Sequence, residues 1–379
     1  MKSEMWDAQK IKDFQAVLLD WYYQNKRNLP WRADTDPYKV WISEIMLQQT
    51  RIDTVIDYYY HFMTEFPTIK ELAQADEEKL LKVWQGLGYY SRARNLKIAA
   101  LQIQTEFNSS FPDTVADIRS LKGIGPYTAG AIASISFNLP EPAIDGNVMR
   151  VISRLFGIDA DIAKASSFKI FDKIVRQIIS HEHPGDMNQA LMEVGQRIST
   201  PAAVECPAWL KPYCYACRYH EHDKFPVKSK KIKPKDVYYL VGVIENKKGQ
   251  FLLQQRPATG LLAKMWLYPL EEVSFQKYQE LKQTWHKDDL PQLTLDLVAE
   301  ELEPELFTDW PIVWQKRHLG EVTHVFSHLK WHLLIFYGRT TEKMNAANGQ
   351  WTASSDFNSK VFPKVQQKLV TQFDKKHKS

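Results

Sequence analysis

Two acidic side chains, Glu44 and Asp145, occupy positions where the sequence could give them opposite protonation states. Glu44 shares a polar stripe with Gln48 and Arg51 beside an apolar helix face. Apolar surroundings raise the pKa of a carboxyl, which suits a general acid near neutral pH. Asp145 precedes a helical pattern, whose unpaired N–H groups are expected to keep the pKa of its carboxyl low. One neutral and one ionised carboxyl are what glycosidic cleavage through an oxocarbenium-like state requires.

Each of the two residues also has a plainer interpretation. Glu44 and Gln48 could lie on a solvated helix face, and Asp145 could be only an N-cap, a common role for Asp. The chemical interpretation therefore requires the tertiary structure to bring the two carboxyls together.

A glycine turn lies between two helical patterns, at Gly123 and Gly125. Pro126 suits the first turn of the second helix, and free N–H groups at such a helix start can hold a phosphate. The small residues at 128–131 allow close helix packing, as in helix-hairpin-helix DNA-binding hairpins. An ordinary turn between helices is the alternative.

The elements that position these residues change character along the chain. Helical periodicity predicts one helix over 41–60, a second over 113–121 and a third over 146–156. A basic, proline-containing linker follows, with lysines at 224, 228, 230, 231, 233 and 235. Beyond it, runs at 237–244 and 251–255 predict a β-hairpin, 326–337 another strand, and 275–285 and 362–373 helices. The first domain is therefore predicted to be all-α and the second α+β.

Composition limits the class of protein. The chain has 379 residues, of which 44% are hydrophobic and 25% charged, as in a packed globular protein of two or three domains. The net charge of +4 permits a polyanionic partner. Apolar runs are too short for a bilayer span and the amino terminus carries no secretory signal, so we expect a soluble cytoplasmic protein without membrane contact. Three cysteines cannot build a disulfide framework, which agrees with a reducing compartment.

The order of several motifs resembles the adenine DNA glycosylases of the MutY family, within the endonuclease III superfamily. These motifs are Leu29-Pro30-Trp31-Arg32, Glu44-Ile45-Met46-Leu47-Gln48-Gln49-Thr50, Gly86-Leu87-Gly88-Tyr89-Tyr90, the glycine hairpin, and Ile144-Asp145-Gly146-Asn147-Val148. The resemblance covers residues 6–200 and, more weakly, the C-terminal half. It implies a multidomain protein: an all-α helix-hairpin-helix glycosylase domain at 1–223, with a cluster-loop remnant at 199–222, a basic linker at 224–236, and an α+β Nudix-like domain at 237–379.

The resemblance also implies an activity. The protein would be a monomeric, monofunctional base excision repair enzyme at the nucleoid that flips adenine out of double-stranded DNA where it pairs with 8-oxoguanine or guanine. Glu44 would protonate the adenine and then activate water, and Asp145 would stabilise the sugar cation or a transient adduct. Tyr127 and Asn147 would be their hydrogen-bond partners. Bifunctional relatives carry a lysine at the position of Tyr127, because strand cleavage through a Schiff base needs an amine; Lys122 could supply only weak lyase activity.

Further positions resemble DNA contacts of the family. Tyr89 would be the wedge that fills the duplex, although a half-buried core tyrosine is an equal alternative. The remaining candidates for the base pocket or for DNA contact are Trp31, Arg32, Gln48, Glu193, Gly123 and Gly125.

The chain departs from the family at its [4Fe–4S] cluster, which most members bind through Cys-x6-Cys-x2-Cys-x5-Cys. The corresponding positions here are Ser199, Cys206, Trp209 and Tyr215. Since the chain has three cysteines, four thiolates are impossible, and we predict no cofactor and no metal, with Trp209, Tyr213 and Tyr215 packing the space. Zinc bound by Cys206, Cys214 and Cys217 with His220 or His222 is the less favoured alternative.

The second domain resembles a Nudix fold through residues 260–270, but no Arg-Glu-x-x-Glu-Glu cluster follows. Without those carboxylates a pyrophosphohydrolase activity is disfavoured, and we expect a lesion reader. Phe326-Ser327-His328 matches the family's lesion-reading loop, with an ordinary strand start as the alternative. The linker lysines would contact phosphates or form a solvated tether. A bifunctional lyase and a catalytically idle DNA-binding relative are the competing functions.

Overall fold

The computed structural model describes residues 4–202, 206–229, 233–284, 311–340 and 348–377. The chain divides into one unit of Met1–Val83 with Ser91–Lys230 and another of Trp84–Tyr90 with Lys231–Ser379. The segment at 84–90, which the sequence assigns to the helical domain, thus groups with the second unit. Lys230 and Lys231 of the predicted linker, residues 203–205 of the predicted loop remnant and Trp285 lie outside the described residues.

The described elements of the first unit are helices joined by turns and short 3-10 segments, as the sequence predicts. They are α1 (Ala8–Asn25), α2 (Pro37–Leu47), α3 (Ile52–Glu65), α4 (Ile69–Gln74), α5 (Glu77–Val83), α6 (Ser91–Glu106), α7 (Val115–Ser120), α8 (Pro126–Phe137), α9 (Gly146–Phe156), α10 (Phe168–Ile178), α11 (Pro184–Arg197) and α12 (Tyr215–Arg218). Apolar faces of α1, α9, α10 and α11 form one buried cluster that includes Phe14, Phe156 and Phe171. Burial of these faces holds the helices together.

The single helix predicted over 41–60 is wrong, because the chain breaks between α2 and α3. Arg92 on α6 is buried, and its Nη1 donates to the carbonyls of Ile45, Met46 and Gln48 at 2.7, 3.2 and 2.9 Å. Those carbonyls lie at the end of α2, where no further helical N–H reaches them. Gln49 then takes a left-handed backbone conformation with φ 59°. A cation from a distant helix thus sets the end of α2, which periodicity alone does not reveal.

The glycine hairpin and the helix after Asp145 form as predicted. The turn between α7 and α8 places Gly123 at φ 82°, and a Cβ there would lie 2.7 Å from the Cβ of Asn95. Both the backbone conformation and the contact therefore require glycine. Asp145 caps α9 and Gly157 ends it in a left-handed conformation.

The second unit contains a mixed sheet with helices packed against it. Its described strands are β1 (Lys235–Asn246), β2 (Gln250–Gln255), β3 (Trp266–Leu267), β4 (Leu270–Val273), β5 (Val313–Val325), β6 (Leu329–Thr340) and β7 (Gly349–Ala353), and its helices are α13 (Phe275–Thr284) and α14 (Lys364–His377). The strand order is β3-β2-β1-β6-β5, with β4 on β1 and β7 on β2. The predicted hairpin is confirmed as the antiparallel pair β1 and β2, and β1 also pairs in parallel with β6. The α+β class is confirmed.

The strand predicted to start at Phe326 instead starts at Leu329. The N–H of Phe326 donates to the carbonyl of Leu329 at 2.7 Å, which closes a tight turn between β5 and β6. Phe326-Ser327-His328 is therefore a turn and not a strand start.

Residues 225–229 of the predicted linker are hydrogen-bonded to the rest of the helical unit. Phe225 is buried, and its carbonyl accepts a hydrogen bond from Nε of Arg154 at 2.9 Å. Ser229 donates its N–H to Asp161 at 3.1 Å. Residues 225–229 are thus not a solvated tether, and β1 begins at Lys235, inside the predicted linker. Among the described residues, no helix combines the length and the hydropathy that crossing a bilayer requires.

We expect Arg92→Ala to destabilise the protein by about 3 kcal/mol, because it leaves buried carbonyls without a donor. Arg94→Ala is the matched control on the same helix. It removes a partly exposed ion pair with Glu77, for which the expected cost is below about 1 kcal/mol. Thermal unfolding of the two full-length variants checks this, and equal melting temperatures would contradict the role of Arg92.

Candidate active site

A cavity of 1060 Å³ in the helical unit gathers residues that are far apart in the sequence. Eight predicted site residues line it: Trp31, Arg32, Glu44, Gln48, Tyr127, Asp145, Asn147 and Glu193. They come from the turn before α2 and from α2, α8, α9 and α11. The two carboxyls that the chemistry requires therefore face one enclosed space.

Glu44 lies in α2 with 7% of its surface exposed, so the solvated-face alternative is wrong. Its Oε2 accepts a hydrogen bond of 2.6 Å from the hydroxyl of Tyr127 on α8. Burial and, to a smaller extent, the charge of Asp145 raise the pKa of Glu44, whereas the hydrogen bond from Tyr127 and the charge of Arg32 oppose the rise, and the resulting pKa is about 7. The predicted direction is confirmed, and a buried carboxyl titrating near neutral pH can both give and take a proton.

Asp145 departs from the sequence expectation in its pKa. Its Oδ1 accepts the backbone N–H groups of Asn147 and Val148 at 2.9 and 2.8 Å, and its Oδ2 accepts the Asn147 amide at 2.7 Å. Nevertheless burial raises the pKa of Asp145 above its usual value, and these N–H groups and Arg150 only partly offset the rise. The predicted low pKa is wrong because the effect of burial on the carboxyl outweighs that of its N–H donors and of Arg150.

Arg150, which the sequence did not single out, orients the amide of Asn147. Its Nη2 donates to Oδ1 of Asn147 at 2.8 Å, and its Nε donates to the carbonyl of Ser199 at 2.7 Å. Oδ1 must therefore face Arg150, which turns the amide N–H₂ towards Asp145. In the sequence, the spacing of three residues between Asn147 and Arg150 within one predicted helix could have indicated this contact. Gly195 on α11 permits this packing, because a Cβ there would lie 2.8 Å from the Cβ of Asn147.

Arg32 and Glu193 form a buried ion pair in the cavity wall. Arg32 Nη1 lies 2.8 Å from Oε1 of Glu193, whose other oxygen lies 3.0 Å from Nη2 of Arg27. Burial opposes ionisation of Glu193, but the two guanidinium groups together lower its pKa. Arg27 was missed because no motif marks it. Trp31 is also buried, with its ring edge-on to Tyr59.

The remaining predicted DNA contacts lie outside this cavity lining. Tyr89 is 46% exposed with φ 47°, so it is not a core residue. Gly123 and Gly125 form the hairpin turn. In the second unit Ser327 and His328 are exposed, whereas Phe326 is partly buried, 4.9 Å from the ring of Trp331.

The three cysteines lie together in the helical unit. Cys206 and Cys217 are joined by a disulfide that the sequence did not predict, and Cys214 is a buried free thiol. One ligand atom from each cysteine and one from His222 all lie within 4.8 Å of one another, so the group could bind a metal. Trp209, Tyr213 and Tyr215 are partly buried and pack against the hydrophobic core of the helical unit.

Comparison with known proteins identifies the class first. A family model described as HhH-GPD superfamily base excision DNA repair protein matches residues 42–177, and one described as NUDIX domain matches residues 240–372. The solved structure of a thermostable thymine-DNA glycosylase has a TM-score of 0.51 at 24% identity, covering 56% of this chain and 98% of that one. The fold is therefore that of helix-hairpin-helix base excision repair proteins, followed by a Nudix-like domain.

Similar proteins of known name identify the family within this class. The adenine DNA glycosylase of Rattus norvegicus is 31% identical over 97% of this chain and 79% of its own length. That of Homo sapiens is 31% identical over 96% of this chain and 74% of its own. The chain belongs to the adenine DNA glycosylase family. It spans only 56% of the Arabidopsis thaliana relative, with 35% identity.

We expect Tyr127→Phe to raise the pKa of Glu44 above about 7, because the variant loses the hydroxyl that stabilises the carboxylate. The pH titration of the protonated carboxyl band in infrared difference spectra measures this. Glu44→Gln, which lacks the group, identifies the band. A midpoint in Tyr127→Phe at or below the wild-type value would contradict the hydrogen-bond assignment.

Proposed function

We propose that this protein is a monofunctional adenine DNA glycosylase that removes adenine opposite 8-oxoguanine or guanine in base excision repair. The observation that carries the proposal is that Glu44 and Asp145, held by different hydrogen-bond partners, line one cavity. The family membership supports the adenine substrate, and the cavity is large enough to receive an extruded nucleotide.

Glu44 acts first as the acid. With a pKa near 7 it is substantially protonated at neutral pH, and it gives its proton to a ring nitrogen of the flipped adenine as the C1′–N9 bond breaks. The departing base thereby leaves as a neutral molecule. Glu44, now ionised, accepts a proton from the water that attacks C1′, which restores its starting state.

Asp145 stabilises the positive charge that develops on the sugar. Three N–H groups donate hydrogen bonds to the carboxylate of Asp145, whereas the carboxyl of Glu44, among the described residues, accepts a hydrogen bond only from the hydroxyl of Tyr127. Because more donors favour the ionised form, Asp145 is the member of the pair that ionises first, even though burial raises its pKa. Its negative charge also helps to keep Glu44 protonated.

Tyr127 supports single-step hydrolysis without strand cleavage, because a phenol cannot form a Schiff base with the sugar. Lys26 also lines the cavity, and its amine is the kind of group that forms a Schiff base. The bifunctional alternative therefore needs a direct test. Borohydride trapping on DNA separates the two functions: efficient covalent capture would exclude the monofunctional proposal.

The DNA interface combines three features. Backbone N–H groups at the Gly123 and Gly125 turn bind a phosphate, and the exposed Tyr89 is the wedge that enters the duplex. The described lysines of the predicted linker, such as Lys228 and Lys233, contact phosphates without reading sequence. We propose that the protein acts as a monomer in the cytoplasm.

The second unit reads the lesion through the turn at Phe326-Ser327-His328. Ser327 and His328 are exposed between β5 and β6, where their polar atoms can bond to a damaged base. The lack of a Nudix carboxylate cluster in the sequence supports recognition rather than hydrolysis. The chain has only three cysteines, and only Cys206 lies at a position of the family's [4Fe–4S] motif, so we propose that no four-thiolate cluster forms.

Replacing Glu44 by Gln removes the proton donor but keeps the shape of the side chain. We expect single-turnover release of adenine to slow by roughly 10²–10⁴-fold, the usual contribution of a general acid. In the wild type the rate should be highest below pH 7 and fall as Glu44 ionises above it. Glu193 lies in the same wall, but its two arginines lower its pKa and keep it ionised. The control variant Glu193→Gln should therefore not shift the pH midpoint. Unchanged base release in Glu44→Gln would exclude the proposed acid and leave the idle-relative alternative.

His328→Ala tests the reader. Release of adenine opposite 8-oxoguanine should slow at least several-fold relative to release opposite guanine, because only the damaged base would lose a contact. Single-turnover assays on the two duplexes give the ratio, and His377→Ala on α14 is the control. A His328→Ala ratio equal to that of the wild type would contradict the lesion-reading role of this turn.

A further inference from the structure

The cysteine cluster of the helical unit is not used by the proposed glycosylase chemistry. Its members are Cys206, Cys214, Cys217 and His222, and their ligand atoms all lie within 4.8 Å of one another. Nε2 of His222 lies 3.2 Å from Sγ of Cys217 and 3.8 Å from Sγ of Cys206. One imidazole nitrogen therefore faces two sulfurs at once.

We propose that the reduced protein binds a single zinc ion through Cys206, Cys214, Cys217 and His222. Three thiolates and one imidazole are an established tetrahedral ligand set for zinc. With metal–sulfur bonds of about 2.3 Å and a metal–nitrogen bond of about 2.0 Å, such an ion holds its ligand atoms roughly 3.5–4 Å apart. The four ligand atoms already lie within 4.8 Å of one another, and to reach that geometry the two sulfurs of the disulfide must separate.

The polypeptide around the site is already arranged for ligation. Sγ of Cys214 accepts a hydrogen bond from the N–H of Cys217 at 3.4 Å. The same hydrogen bond can form when two cysteines separated by two residues bind one metal ion. The N–H of Glu221 donates to the carbonyl of Ala216 at 2.9 Å, which folds the chain back and brings His222 to the sulfurs. His220 does not belong to the group, so the structure resolves the choice between the two histidines.

Charge balance also favours a divalent ion. Three thiolates around a divalent ion leave one net negative charge. The buried guanidinium of Arg154 interacts electrostatically with Cys214 and can offset that charge. Arg154 is held by the carbonyls of Phe225 and Thr200, at 2.9 Å each, so its position does not depend on the metal.

A [4Fe–4S] cluster does not fit these residues. The chain offers three thiolates, and a cubane must separate its ligand atoms by four irons and four sulfides, whereas these atoms are grouped closely enough for one ion. The proposed site thus differs from the family's cluster in stoichiometry and in metal.

Zinc binding requires the disulfide between Cys206 and Cys217 to be opened. A dithiol reductant supplies two electrons and two protons, becomes a cyclic disulfide and leaves two protein thiols. Binding of the ion then releases the three thiol protons as the Zn–S bonds form. Only the reduced form of the chain is therefore competent to bind.

Cobalt titration of the full-length, dithiol-reduced and metal-free protein tests the proposal independently of glycosylase activity. We expect one equivalent of Co²⁺ to produce the visible ligand-field bands of a tetrahedral site and a thiolate charge-transfer band, and Zn²⁺ to displace it. Protein purified under reducing conditions should carry one zinc per chain by elemental analysis. The oxidised protein should bind none.

Variants identify the ligands. His222→Ala and Cys217→Ser should weaken cobalt binding by more than roughly tenfold, whereas His220→Ala, the matched control, should bind as the wild type does. Wild-type protein that takes up no cobalt after reduction would overturn the proposal, as would ligand variants that bind normally. Stoichiometric iron with acid-labile sulfide would also overturn it, in favour of a cluster.

Discussion

Burial of the Glu44 carboxyl is the constraint on which the rest of the helical unit depends. A carboxylate in an apolar interior is costly, so the group shifts its pKa and stays neutral unless partners compensate. Here the hydroxyl of Tyr127 and, more weakly, the charge of Arg32 compensate in part, and the pKa is about 7. A second strong donor would hold Glu44 ionised, and loss of Tyr127 would hold it protonated. A pKa near 7 for Glu44 therefore requires α2 and α8 to stay fixed relative to each other, so that the hydrogen bond between Glu44 and Tyr127 is kept.

Several buried polar contacts maintain that position. Arg92 ends α2 shortly after Glu44 by binding its last carbonyls, and Gln48 reaches Thr128 on α8 at 3.4 Å. On the other side of the cavity, Arg150 fixes Asn147, and Asn147 fixes Asp145. Each of these charged groups is hydrogen-bonded, which makes its burial tolerable and its orientation definite. The two carboxyls differ chemically because their donor sets differ, although both are enclosed.

The cavity and the cysteine cluster are assembled in different ways. In the cavity, the predicted site residues come from four helices and a turn that are far apart in the sequence, whereas Cys206 to His222 lie in one short stretch whose turns bring the ligands together. Local sequence spacing therefore carries much of the information about the cluster. The spacing left His220 and His222 as alternatives, and the fold selects His222, because the chain reverses at Glu221.

The sequence by itself determined the α9 helix with its Asp145 cap, the glycine hairpin, the antiparallel pair β1 and β2, and the two fold classes, because caps, turn residues and apolar periodicity act over a few residues. Tertiary structure alone decided the rest. It broke the helix predicted over 41–60 through Arg92, raised the pKa of Asp145 by burying it, paired Glu193 with both Arg32 and Arg27, and grouped the segment at 84–90 with the second unit. These outcomes depend on contacts between groups that are distant in the chain and on the exclusion of water around them, neither of which is encoded in any short stretch of residues.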